Sequence, residues 1–141
     1  MSGRKEKFSS SSGDKPVPEP SMQRGAPKVR VLVVDDDEKI LRFLRSSLGL
    51  AGYDVCTATC GEEALQLLES EKPQIMVLDI LMPQTDGFEV LKRVRPASKL
   101  PVIAISAHTS NAEQALSLGA NVFLAKPFRP DELIQKIKAL Y

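Results

Sequence analysis

Five short apolar runs divide the chain: Val29 to Val34, Tyr53 to Ala58, Ile75 to Leu78, Val102 to Ile105 and Val122 to Ala125. They are too short for helices, and nearly every position in the central ones is apolar. That pattern predicts strands buried on both faces. Between them, apolar residues recur at helical spacing. Ile40, Leu41, Phe43, Leu44 and Leu48 form one such stripe, with one of the preceding aspartates as its N-cap and Gly49 and Gly52 at its end. Ala64, Leu65, Leu67 and Leu68 form a second, opened by a Thr59–Glu62 capping box. Gly87 to Arg95, Asn111 to Leu118 and Asp131 to Leu140 complete a set of five, the fourth closed by Gly119. A βα unit repeated five times predicts a doubly wound α/β domain: one parallel sheet, helices on both sides, right-handed crossovers. Periodicity alone leaves the strand order open.

The first 27 residues depart from this pattern. They are rich in Ser, Pro and Gly with scattered apolar residues, and are expected to form a disordered N-terminal tail, leaving residues 28–141 as the folded part. A chain of 141 residues with 43% hydrophobic content suffices for one domain with a real core. The first 27 residues hold five basic and three acidic side chains against a whole-chain balance of +1, so the folded part is near neutral at −1. That balance argues against direct nucleic-acid binding. Cys56 and Cys60 fit neither a CxxC motif nor a disulfide framework. There is no apolar signal core and no run near the roughly 20 residues of a membrane span. A cytoplasmic protein without membrane contact is the expectation.

The chemistry-bearing residues fall at strand ends. Asp35, Asp36 and Asp37 follow the first strand, Asp79 the third, Ser106 the fourth and Lys126 the fifth. In an open parallel sheet all these ends lie along one edge, where ligands bind. Carboxylates brought together there repel: at about 4 Å and an effective dielectric near 20, a pair costs roughly 4 kcal/mol. The cluster must protonate or recruit a cation, and hard carboxylate oxygens suit Mg²⁺. A carboxylate nucleophile with Mg²⁺, a lysine and a hydroxyl is a set suited to phosphoryl transfer. No GxxxxGK[ST] or GxGxxG loop is present, so a bound nucleotide is not the expected donor. Taken singly, each residue has a plainer reading. The acids can cap a helix, Lys126 can be a surface lysine, Ser106 a strand end, Phe123 core packing and Cys56 a small buried residue. His108 reads as an exposed, inert loop residue, and Asp86-Gly87 as a turn and helix start.

Four segments in fixed order, VLVVDDDEKI, IMVLDILMPQTDGFEVL, VIAISA and GANVFLAKPF, resemble the receiver domain of two-component response regulators. The resemblance spans about Lys28 to Tyr141. It implies the flavodoxin-like strand order 2-1-3-4-5, with Asp79 as phospho-acceptor. It implies Mg²⁺ held by Asp36, Asp79 and the backbone carbonyl of Leu81, with Asp35 acting through water. Lys126 would pair with Asp79 and then with the phosphoryl group, and Lys126-Pro127 would be cis. Ser106 and Phe123 would be the switch residues. A sensor histidine kinase or phosphotransfer protein would be the donor, a homodimer through the fourth helix, fifth strand and fifth helix is suggested, and the domain would be a signalling module, self-phosphorylating and slowly autodephosphorylating, rather than an enzyme. Three positions depart from the family pattern. Phe123 stands where Tyr is more usual, Cys60 replaces a small polar residue, and the Ser106–Lys126 segment is about two residues short, which predicts a reshaped loop or first turn of the fourth helix. Two other functions fit some of the residues: a receiver-like interaction module that is never phosphorylated, and a Mg²⁺-dependent aspartyl-phosphate hydrolase. The hydrolase would want an acid two positions past Asp79, where Leu81 stands.

Overall fold

The computed structural model describes residues 28–141; the expected N-terminal tail lies outside the described residues. Five strands, β1 (Arg30–Val34), β2 (Asp54–Ala58), β3 (Ile75–Asp79), β4 (Val102–Ser106) and β5 (Val122–Ala125), alternate with α1 (Glu38–Leu50), α2 (Gly61–Ser70), α3 (Gly87–Val94), α4 (Ala112–Ser117) and α5 (Pro130–Leu140). The strands form one parallel sheet in the order β2-β1-β3-β4-β5. This is the flavodoxin-like doubly wound fold expected above.

The apolar runs are continuous because alternate side chains leave the sheet on opposite sides and both sides are covered. Leu32, Val34, Met76, Leu78, Val102 and Ala104 face a core completed by α2, α3 and α4. Val31, Val33, Ile75, Val77, Ile103 and Ile105 face the other, closed by Leu41, Leu44 and Leu48 of α1 and Leu133 and Ile137 of α5.

Element boundaries follow local chemistry. Asp37 caps α1, its side chain accepting from the Lys39 N–H. The chain leaves α1 through Gly52, at φ +99, a left-handed conformation that a glycine adopts without strain. Phe43, expected on the inward stripe of α1, is instead 56% exposed. The α2 helix begins one residue later than expected. Cys60 is its N-cap without a side-chain bond, and Glu63 rather than Glu62 accepts from the Thr59 N–H and hydroxyl. A single 3-10 turn, Thr109–Asn111, leads into the fourth helix, and α4 runs for six residues, one residue inside the expected Asn111–Leu118 at each end. The Lys126-Pro127 bond is cis.

Candidate functional site

Strand alternation aims the site. In β1 the series Val31, Val33 continues to Asp35, whose N–H still bonds the Ala58 carbonyl at 3.1 Å. In β3 the series Ile75, Val77 continues to Asp79. In β5 the series Val122, Leu124 continues to Lys126, whose N–H bonds the Ser106 carbonyl at 2.9 Å. All three side chains therefore emerge on the same side of the sheet, at its C-terminal edge, from three different strands. Asp35 is fully buried; one carboxylate oxygen accepts from the Asp37 N–H at 2.9 Å and the other from Lys126 Nζ at 2.8 Å. Asp79 is 3% exposed; one oxygen accepts from the Leu81 N–H at 3.1 Å and the other from Lys126 Nζ at 3.3 Å. Lys126 thus bridges both acids, and the contact to Asp35 is the shorter one. It is no surface lysine. Asp36 is the exposed member of the cluster.

One oxygen from each of Asp35, Asp36 and Asp79 lies within 4.8 Å of the other two. Burial, and then the charge of Asp35, push the Asp79 carboxyl up to about 6, despite the opposing pull of Lys126 and of the Leu81 N–H. Burial alone would pull Lys126 down, but its bonds and charge contacts with Asp35 and Asp79 outweigh this and hold it above its ordinary value. The lysine remains an ammonium, and one positive charge faces three carboxylates. An all-oxygen donor set with excess negative charge and one solvent-facing member fits a hard divalent cation such as Mg²⁺.

The loop after β3 is pinned beneath this cluster. Leu81 pairs with Asp86 in an isolated bridge, Asp86 caps α3 through the Phe88 N–H, and the Gly87 N–H bonds the Ile80 carbonyl at 3.0 Å. A Cβ at Gly87 would sit 2.6 Å from both the Asp79 carbonyl oxygen and Ile80 Cα. Asp86-Gly87 is therefore more than a turn: only a glycine lets α3 start this close to the backbone carrying Asp79.

Ser106 and Phe123 belong to the opposite alternation, continuing or facing Ala104, and so lie on the α3–α4 side. Neither side chain bonds the carboxylates or Lys126 among the described residues. Ser106 is fully buried. Its Oγ accepts from the His108 N–H and from Asn111 Nδ2, both at 3.1 Å, and its own proton has no acceptor among the described residues. Phe123 is half-buried and packs against the core cluster that includes Ala104, Ala115 and Ala120. His108 has an exposed side chain, yet its main chain holds Ser106. Sequence reasoning missed three residues: Gly87, Asn111 and Thr85, whose hydroxyl accepts from the Gly61 N–H at 3.2 Å and ties this loop to α2. Asp86-Gly87 signals a helix start but not the backbone that the glycine touches, and an asparagine in a loop gives no signal of its own.

Comparisons with known proteins agree with this architecture. The pattern of the response regulator receiver domain matches residues 31–138. The alkaline phosphatase synthesis transcriptional regulatory protein PhoP of Bacillus subtilis is 41% identical over 114 residues, which is 79% of this chain and 48% of that protein. The response regulator MprA of Mycolicibacterium vanbaalenii is 43% identical over 115 residues, 79% of this chain and 50% of that protein. The chain thus spans about half the length of the curated relatives it matches. Among solved structures, the receiver domain of the Francisella response regulator 1452 superposes with a TM-score of 0.75 at 38% identity, covering 81% of this chain and 97% of that one. The chemotaxis protein CheY4 of Vibrio cholerae does so with a TM-score of 0.77 at 31% identity, covering 82% and 100%. The chain belongs to the response regulator receiver domain family.

Proposed function

We propose that Asp79 accepts a phosphoryl group from a phosphohistidine on a sensor histidine kinase or phosphotransfer protein, and that the acyl phosphate then switches an output surface. The observation that carries this reading is the buried Asp79 carboxylate, 3.3 Å from Lys126 Nζ and within 4.8 Å of oxygens of Asp35 and Asp36. An oxygen of Asp79 attacks phosphorus as the phosphorus–nitrogen bond of the donor breaks, and the imidazole leaves with the bonding electrons. Lys126, already an ammonium between two acids, balances the charge arriving on the phosphoryl oxygens. Asp36, Asp79 and the Leu81 carbonyl would hold Mg²⁺. Asp35, whose oxygens already serve Lys126 and the Asp37 N–H, would reach it only through water. When bound, the ion supplies the positive charge that keeps Asp79 ionised and offsets the phosphoryl group. Ser106 has a buried, undonated hydroxyl proton to offer an anion, and Phe123 could change its packing as Ser106 moves. Leu81, 47% exposed, offers no acid for an external phosphatase reaction, so hydrolysis of the acyl phosphate is expected to be slow.

A recess of about 390 Å³ beside the site, lined by Ile40, Phe43, Leu44, Ala107, Pro127 and Phe128, suits an apolar strip on a partner such as a kinase helix. The exposure of Phe43 is consistent with such a face. Relatives named transcriptional regulators suggest that the output is control of transcription through a further domain. A homodimer through α4, β5 and α5 would use the exposed Leu116 and is read by sizing with and without phosphodonor. A cytoplasmic location suits a kinase substrate with two free cysteines, and no described helix is long and apolar enough to cross a membrane. Incubation with acetyl phosphate and Mg²⁺ should label the protein, and Asp79→Asn should abolish the label. Undiminished labelling of Asp79→Asn overturns the assignment.

A further inference from the structure

Asn111 occupies the N-cap position of α4, a place where asparagine ordinarily accepts from the first free N–H groups of the helix. Here it makes no side-chain capping bond, and its backbone is already helical at φ −81, ψ −8. Its side-chain amide is directed instead to Ser106 Oγ at 3.1 Å. The main chain of the same turn is closed by the Asn111 N–H bonding the His108 carbonyl at 3.0 Å, and the His108 N–H supplies the second bond to Ser106. A serine hydroxyl has two acceptor lone pairs and one proton to donate. Both lone pairs are therefore filled from the 3-10 turn, while the proton is unused. Ser106 also lies on the opposite alternation from Asp79, so its hydroxyl faces α4 rather than the carboxylates.

We propose that Asn111 is a latch on the resting state: its amide holds the Ser106 hydroxyl on the α4 side, and this bond is given up when Ser106 turns to a phosphoryl group on Asp79. This rests on the phospho-acceptor reading above and names its regulation. The coupling is reciprocal. Whatever the Asn111 bond contributes to the resting state is subtracted from the affinity of the site for a phosphoryl group, and the same exchange frees the first turn of α4.

The test measures binding of beryllofluoride, an acyl-phosphate mimic, with Mg²⁺ present. Asn111→Ala should bind it about five-fold more tightly than the unaltered protein, the equivalent of about 1 kcal/mol, the net worth of one ordinary hydrogen bond. In a Ser106→Ala background the Asn111→Ala change should make no difference. A turn that merely loosens would still shift affinity there, so a gain that persists without Ser106 overturns the proposal, as does unchanged or weaker binding by Asn111→Ala. The unaltered protein gives a second reading: the Asn111 side-chain amide signals in an NMR spectrum should shift, and exchange faster with solvent, on adding beryllofluoride. Signals that stay in place also overturn it. Failure of the unaltered protein to bind beryllofluoride at all would sink the phospho-acceptor reading itself, and the latch with it, an outcome distinct from the others.

Discussion

At the scale of single residues, the site's charges were legible because each ends an alternating strand series. Asp35, Asp79 and Lys126 sit two positions beyond buried apolar residues, and a strand's period of two carries them to one side of the sheet. What they bond was not legible. Resemblance pairs Lys126 with Asp79, whereas the geometry gives Asp35 the shorter contact, 2.8 Å against 3.3 Å. Gly87 was undervalued for a related reason: its role lies in the backbone it touches, not in any property of its own. Gly87→Ala drives a methyl group against the Asp79–Ile80 backbone. It should destabilise the protein by about 1–3 kcal/mol, seen as a lower urea midpoint, and should slow acetyl-phosphate labelling because Asp79 is displaced. Full stability and labelling in this variant would show that α3 can retreat freely.

At the scale of elements, all five strands and five helices lie where the hydrophobic periods put them, with ends shifted by a residue or so. The shifts have physical causes. The α2 helix starts at Gly61 because Glu63, at the third helical position, reaches back to the Thr59 N–H and hydroxyl. Two glutamates in succession made either register readable, and only the three-dimensional turn selects one. Glu63→Ala should therefore cost about 1 kcal/mol, while Glu62→Ala should stay within about 0.5 kcal/mol; paired denaturation curves decide between them. The fourth helix departs furthest from its predicted span, Asn111 to Leu118. A 3-10 turn leads into it, and the same segment grips Ser106, so the start of this helix is tied to the site. Phe43 left the core stripe because the apolar arc of α1 is wider than the surface the sheet and α5 present to it.

At the scale of the whole molecule, the cluster's charge sets stability against function. The Asp79 carboxyl rises from 3.8 to about 6 on folding, so the native state holds that proton more tightly than the unfolded chain. The resulting stabilisation is complete below about pH 4 and is lost as pH climbs through about 6. Near neutral pH, without divalent cations, the ionised Asp79 opposes folding by on the order of 3 kcal/mol. Asp79→Asn should then raise Tm near neutral pH and change it little near pH 4. Mg²⁺ should raise Tm of the unaltered protein and leave that of Asp79→Asn nearly unmoved. A neutral-pH Tm that falls in Asp79→Asn would show that Lys126 dominates the balance instead. The sequence by itself determined the number and kind of elements, the burial of both sheet faces and which polar residues terminate strands. These follow from apolar periodicity, a local property of the chain. Strand order was suggested only by resemblance, and the bridging of Lys126, the grip of Asn111 on Ser106 and the seat of Gly87 were decided by tertiary structure alone. Lys126 and Asp35 stand 91 positions apart, and Lys126 and Asp79 stand 47 apart. No local period encodes which distant side chains will share a buried contact; that follows only once the strands have been ordered and packed.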